Sequence, residues 1–168
     1  DSTALLHLLH ARAERLGLRI GVGHLDHGLR PESADEARAG ECLAGELGVE
    51  VHVERADVHA VRRRLGTSVE AAAREARYDF LRRTAVRHGY STIALGHHAD
   101  DNAETLLLNL LRGSGRTGLG GIRPVRDGMF IRPLLQASRA DIEAYLRGRG
   151  IDWLTDASNA DPRLRRNR

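Results

Sequence analysis

Short apolar runs alternate along this chain with longer stretches patterned at helical spacing, and that alternation limits the fold more than any single motif does. LRIGVGHL (18–25), VEVHVE (49–54) and STIALG (91–96) read as strands, being short, rich in β-branched residues and bounded by turn residues. Before the first of them, residues 2–16 carry Leu5, Leu8, Leu9 and Leu16 near one helical face and stop at Gly17. Further helices are predicted from about Ser33 to Leu47, from about Ser68 to His88, and from about Ser138 to Gly148, the last opened by Ser138 with Asp141 three residues on. DVHAVRRRLGTS (57–68) is less regular, and IRPVRDGMFIRPL (122–134) reads as an extended or hairpin segment around Asp127 and Gly128. Strands that alternate with helices in this way form a parallel sheet with helices on both faces, so the fold class is α/β, Rossmann-like, in one domain. Ligands of such sheets bind at the carboxyl ends of strands. Polar clusters stand at all three places: HLDHG (24–28), ERADVH (54–59) and GHHADD (96–101).

The third cluster opens a two-sided helix. Asp101, Glu104, Thr105 and Arg112 fall at i, i+3, i+4 and i+11, with Ala103, Leu106, Leu107, Leu110 and Leu111 on the opposite face. Carboxylates in a first turn either stabilise the helix dipole or ligate a hard cation. His97 and His98 sit where a strand ends and a helix begins, which favours contact with a ligand. Magnesium with a polyphosphate suits acidic oxygen donors better than zinc, whose helical motif has a different spacing. The residues that follow, RGSGRTGLGG (112–121), hold five glycines in nine positions from Gly113. They are either a flexible connection or a place where Arg112, Gly113, Ser114, Gly115 and Arg116 approach phosphates closely. Glu70, Arg74 and Arg77 share one stripe of the preceding helix, as ordinary helix support or as a cationic surface for an anion.

Composition removes several chemistries. All 26 basic residues are arginine, so a Walker-type phosphate loop, pyridoxal chemistry and Schiff-base catalysis lack their lysine in these residues. Base composition of the genome accounts for this bias as well as phosphate affinity does. No apolar run is long enough to cross a bilayer and no signal-peptide pattern opens the chain, so a reducing cytoplasm is expected. Cys42 is the only cysteine; inside the second predicted helix it reads as a small buried hydrophobe.

DS followed by TALLHLL, then HLDHGLR, SVEAAAREARYDFL, GHHADDNAETLLLNLLRGSGRTGLGGI, RPLL and DWLTDASNADPRLRRNR together resemble the catalytic domain of the bacterial tRNA(Ile)-lysidine synthetases, within the PP-loop ATP pyrophosphatases. GHHxDD with a nearby ET is shared with related tRNA thiolases, whereas RGSGxxGLxGI and the terminal SN-to-RN segment are more particular to the synthetases. Of the family's SGGxDS phosphate loop only Asp1 and Ser2 are present. The resemblance therefore implies a fragment truncated at both ends. It lacks the first strand of a sheet ordered 3-2-1-4-5, most of the loop and the C-terminal tRNA-binding domains, and alone it is expected to bind ATP poorly or fold badly.

The implied reaction has two steps. ATP, with Mg2+, adenylates the carbonyl oxygen of the wobble cytidine in a tRNA(Ile) with a CAU anticodon, releasing pyrophosphate; the amine of free lysine then displaces AMP to give lysidine. By resemblance, Asp1 and Ser2 line the phosphate cradle, and Asp26, His27 and Gly28 lie near the adenosine. Arg112 and Gly113 approach phosphate, Asp101 and Glu104 position Mg2+ or the lysine ammonium, His97 orients the base or the adenylate, and Arg77 neutralises phosphate charge. These residues, Asp1, Arg77, His97 and Asp101 above all, are expected around one nucleotide. Arg163, Arg165, Arg166 and Arg168 form a basic tail, either solvated or touching tRNA phosphates. No membrane partner is implied, and a homodimer is allowed. The rival readings are a tRNA thiolase of the 2-thiocytidine type and a nucleotide-binding module without chemistry.

Overall fold

The computed structural model describes residues 1–28, 33–113 and 120–153. In chain order the elements are α1 (Ser2–His10), α2 (Ala13–Leu16), β1 (Gly21–Asp26), α3 (Ser33–Glu46), β2 (Glu50–Arg55), α4 (Val58–Leu65), α5 (Val69–His88), β3 (Ile93–Ala94), α6 (Ala99–Leu111), β4 (Val125–Arg126), β5 (Phe130–Ile131) and α7 (Arg139–Gly148). They gather into two compact units, one spanning Leu8–Ile93 and the other combining Asp1–His7 with the chain from Ala94 onward. Ser114, Gly115 and Arg116 of the glycine-rich loop and the tail arginines Arg163, Arg165, Arg166 and Arg168 lie outside the described residues.

In the Leu8–Ile93 unit, β1 and β2 run parallel, in register from Gly21 opposite Glu50 to Asp26 opposite Arg55. Parallel neighbours need a crossover, and α3 supplies it, packing on both strands while α5 packs on β1. The approach of α5 is close because β1 carries glycine there: a Cβ on Gly23 would come within 2.7 Å of the Leu81 side chain. Leu25, Ala44, Val58, Ala72, Tyr78 and Phe80 fill the core. The first helical stretch breaks where Arg12 N donates to Leu9 O, which splits residues 2–16 into α1 and α2; nothing in the sequence at Ala11–Arg12 marks the break. The irregular segment is helix α4, capped by Asp57, whose side chain accepts from Ala60 N at 2.9 Å. Val58, Val61 and Leu65 keep the helical spacing that three consecutive arginines obscure, and those arginines complement the dipole at the helix end. Cys42 is exposed, a correction to its reading as buried. It lies two residues from the core residue Ala44, roughly 200° round the helix, on the outer face.

In the other unit the strands are ordered β3-β5-β4, with Leu95 N donating to Ile131 O at 2.9 Å. β4 and β5 form the expected antiparallel hairpin, turning through Asp127 (φ 54°) and Gly128 (φ 66°). Two consecutive positive φ values match the strand twist of a tight hairpin, and Asp-Gly tolerates them. Ala4, Leu5, Phe130, Leu134, Ile142 and Leu146 form the core of this unit. α7 begins with the capping box foreseen at Ser138, whose amide donates to Asp141 Oδ2 at 2.9 Å and whose Oγ accepts from Asp141 N at 3.1 Å. α6 departs from the burial its two-sided pattern ordinarily signals. Leu107, Leu110 and Leu111 on its apolar face are exposed, Leu111 at 83%, while Asp101, Glu104 and Thr105 are half-buried.

Candidate functional site

Within the unit that contains Asp1, three helices begin near one another. α1 starts at Ser2 beside Asp1, α6 starts after His98, and α7 starts at Arg139. β3 places the second of these starts, because the chain leaves it through Leu95 and Gly96 directly into His97 and His98. Gly96 makes the meeting of the first two starts possible: a Cβ there would lie 3.2 Å from Ser2 N and 3.3 Å from the Asp1 carbonyl carbon. Its φ is not positive, so space rather than backbone conformation requires glycine.

His98 is the centre of the arrangement. It is 4% exposed, and its Nε2 stands 3.4 Å from Asp1 Oδ2 and 3.5 Å from Asp101 Oδ2. On the other side of the ring, Nδ1 faces Asp100 Oδ2 at 3.4 Å. Asp101 also accepts from the His98 amide at 3.0 Å, satisfying one of the free donors at the start of α6. Asp100 accepts from the Arg139 amide at 2.7 Å and so caps α7 from a different helix. That bond, followed by the nearby His98 ring, holds the Asp100 carboxyl below the usual carboxylate range. Arg139 extends its guanidinium to Asp1 Oδ2 at 3.6 Å and to Glu143 Oε1 at 3.1 Å.

Sequence reasoning singled out Asp1, Ser2, His97, Asp101 and Glu104 in this unit. Asp1 and Asp101 meet at His98; Ser2 is exposed at the start of α1; His97 and Glu104 are half-buried beside the cluster in sequence. Arg112 and Gly113 close the far end of α6, about 17 Å from Asp101 along the helix axis, and are not part of this cluster. Gly96, Asp100 and Arg139 were missed, and His98 was noticed beside His97 but given no role. His98 left a trace, since it precedes Asp101 by three residues as a cap precedes its N3 partner. Arg139 left none, because its partners Asp1 and Asp100 are distant in the chain. Asp101 offers a carboxylate of the kind that a hard cation such as Mg2+ takes together with phosphates and water, but among the described residues Asp1, His98 and Asp101 do not close into one three-donor group.

The Leu8–Ile93 unit carries the remaining candidates at the carboxyl end of β1. Asp26 Oδ1 accepts from Gly28 N at 2.8 Å and Oδ2 lies 3.6 Å from Arg55 Nε. Gly28 has φ +58°, so the backbone calls for glycine; a Cβ there would meet only the Arg55 guanidinium, at 3.3 Å, which can move aside. His27 Nδ1 is buried and has no hydrogen-bond partner among the described residues. Burial pushes the His27 pKa down, and the charge of Arg77 adds to the effect, so Arg77 on α5 and the loop after β1 belong to one neighbourhood. Arg77 is exposed by surface area, yet the protein atoms crowding its guanidinium lower its pKa. Arg74 is engaged within its own helix, donating to the Tyr78 hydroxyl at 3.2 Å.

These shifts give a prediction. His27 has a folded pKa below its ordinary 6.5, so its contribution to stability is complete above that value and is lost as pH falls through the folded pKa. Replacing Arg77 by glutamine removes one of the downward causes but not burial. In an NMR titration the His27 ring of Arg77→Gln is expected to protonate at higher pH than in the wild type, still below the ordinary value. An unchanged His27 titration would separate Arg77 from this loop.

The PP-loop domain model matches residues 1–168. The chain is 49% identical over 166 residues to a tRNA(Ile)-lysidine synthase of Deinococcus radiodurans, covering 99% of this chain and 27% of that protein. It is 45% identical over 169 residues to the tRNA(Ile)-lysidine synthase of Chlorobaculum tepidum, covering 99% and 50% respectively. It thus spans about half the length, or less, of these curated relatives. Among solved structures it is similar in fold to the U34-tRNA thiolase NcsA from Methanococcus maripaludis with its [4Fe-4S] cluster, with TM-score 0.74 at 15% identity over 92% of this chain and 55% of that one. With the model matched from end to end and relatives alike over nearly every residue, the chain belongs to the PP-loop domain family.

Proposed function

We propose that this chain is the nucleotide-handling part of a tRNA(Ile)-lysidine synthase. In this reading ATP adenylates the wobble cytidine of a tRNA(Ile) with a CAU anticodon, and free lysine then displaces AMP to leave lysidine. The observation that carries it is the convergence of the Asp1 and Asp101 carboxylates on the buried ring of His98. Relatives named for lysidine synthesis support the substrates. In the longer protein the parts outside these 168 residues grip the tRNA, and residues 1–168 act as its catalytic domain.

Roles follow from chemistry. Asp1 and Ser2 open α1, where free backbone amides favour a departing pyrophosphate. Asp26, His27 and Gly28 contact the adenosine, and His27 Nδ1, which has no hydrogen-bond partner among the described residues, accepts a hydrogen bond from it. Arg77 offers charge to phosphate or to the adenylated base. Asp101 and Glu104, one helical turn apart, hold the lysine ammonium and take up a proton as its amine attacks. His97 orients the base, Arg112 and Gly113 approach the phosphates, and Asp101 would hold Mg2+. The ion, when bound, spreads the charge that develops on the leaving pyrophosphate.

The test supplies the full-length protein with ATP, Mg2+, free lysine and an unmodified tRNA(Ile) transcript, and reads the anticodon by mass spectrometry. Lysine added to the cytidine is expected; an untouched cytidine with ATP consumed overturns the reading. A tRNA thiolase is the second reading, favoured by the fold likeness to NcsA. Sulfur transfer or an iron–sulfur cluster requires cysteine, and these residues hold one, the exposed Cys42 on α3. Cys42→Ala is expected to leave turnover within about twofold of wild type, as for a surface substitution away from any site. Loss of turnover without unfolding would revive the thiolase.

A further inference from the structure

At the opposite end of the β1–β2 pair, a second group of side chains has no part in the proposed chemistry. Glu50 and His52 point from the same face of β2, two residues apart, and His88 is the last residue of α5. Glu50 Oε1 lies 3.6 Å from His52 Nε2 and 3.5 Å from His88 Nδ1. All three ligand atoms lie within 4.8 Å of one another. The imidazole rings are 3.9 Å apart between centroids. His52 Nε2 is buried and makes no hydrogen bond among the described residues, an arrangement that costs stability unless something else meets it.

The geometry points to a divalent transition-metal site, with Zn2+ held by Glu50, His52 and His88 and the fourth position left to water. Zinc bonded at about 2.1 Å to tetrahedral ligands sets those ligands about 3.4 Å apart, and the two carboxylate–imidazole separations lie within two tenths of an ångström of that, with the two imidazole nitrogens within 4.8 Å of each other. Both donors are imidazole nitrogens joined by one carboxylate, a set that suits zinc rather than magnesium. The carboxylate is also held from behind. The Tyr90 hydroxyl donates to the other oxygen, Oε2, at 3.1 Å, leaving Oε1 facing the histidines, as outer partners orient metal ligands elsewhere. Tyr90 reaches that position because Gly21, directly opposite Glu50 in the parallel register, has no Cβ; one would lie 2.2 Å from the hydroxyl. A metal here clips β2 to the end of α5. It would lie at the amino end of β2, about 16 Å along the strands from the level of Asp26, and so stands apart from the Asp26–Gly28 loop.

The test uses the full-length protein freed of metal by chelator, with Zn2+ or Co2+ alone as the probe. In the wild type, Zn2+ is expected to perturb the ring resonances of His52 and His88 together, and Co2+ to give the visible absorption of a tetrahedral site. His88→Gln and His52→Gln are each expected to abolish the absorption, and Tyr90→Phe to weaken Zn2+ binding by roughly 10–100-fold. Should a histidine variant fail to fold, the wild-type resonances and the Tyr90→Phe affinity still decide. Wild-type rings unmoved by Zn2+, or an absorption that survives both folded histidine variants, would overturn the proposal.

Discussion

Asp101→Asn in the full-length protein is expected to keep the fold and ATP binding while tRNA-dependent pyrophosphate release falls by about 10²–10³-fold, the usual span for one lost electrostatic stabiliser of the charge that develops on the leaving group. The fold is kept because asparagine retains a carbonyl oxygen where Asp101 Oδ2 accepts from the His98 amide at 3.0 Å, and an amide serves that position of a capping box as a carboxylate does. What disappears is charge. Asp101 and Asp1 are the two anions facing His98 Nε2, and a neutral amide can neither take a proton from the lysine amine nor hold a hard cation as a carboxylate does. Thermal unfolding and equilibrium ATP binding, measured beside pyrophosphate release, separate the outcomes. A module that binds nucleotide without chemistry needs the cap but not the charge. Release at the wild-type rate would therefore end the catalytic assignment of Asp101 and favour that rival.

Gly96→Val is expected to weaken ATP binding by about 10²-fold, the order that a displacement of roughly 1 Å can cost, and to lower stability by about 1–3 kcal/mol through overpacking. The cause is the near contact of Gly96 with backbone. A Cβ at 3.2 Å from Ser2 N and 3.3 Å from the Asp1 carbonyl carbon meets atoms that cannot rotate aside as a side chain would, and the γ carbons of valine extend further. Asp1 and Ser2 must shift, carrying the start of α1 with them, and Asp1 then loses its placement beside His98 and Arg139. Gly96→Ala is expected to fall between valine and wild type. Titration with ATP and a thermal melt are the measurements. If ATP affinity is unaffected while the melting temperature drops, Asp1 and Ser2 do not hold phosphate.

Much of the fold was legible because its signals are local. The capping boxes and turns join residues a few positions apart, as Ser138 with Asp141 and Asp127 with Gly128 do, and the alternation of strand and helix follows from side-chain period alone. α4 was obscured only because three arginines interrupt its apolar spacing. The polar clusters at the ends of β1 and β3 were likewise visible, with Asp26 and Asp101 inside them.

The rest depends on contacts that no local pattern encodes. Sequence by itself determined the α/β class, the order of the strands and of the longer helices, the Ser138 cap and most of the residues worth testing, through interactions within about one helical turn or one strand repeat. Only tertiary structure decided that His98 rather than His97 lies between Asp1 and Asp101, that Arg139 ties Asp1 to α7, and that Gly96 is the space into which the α1 start fits. It also decided that Leu107, Leu110 and Leu111 of α6 face outward and that His52 meets His88 across Glu50. Each of these pairs residues from different elements, and the chain path that brings them within a few ångströms is set by the packing of the whole unit, not by their neighbours in sequence.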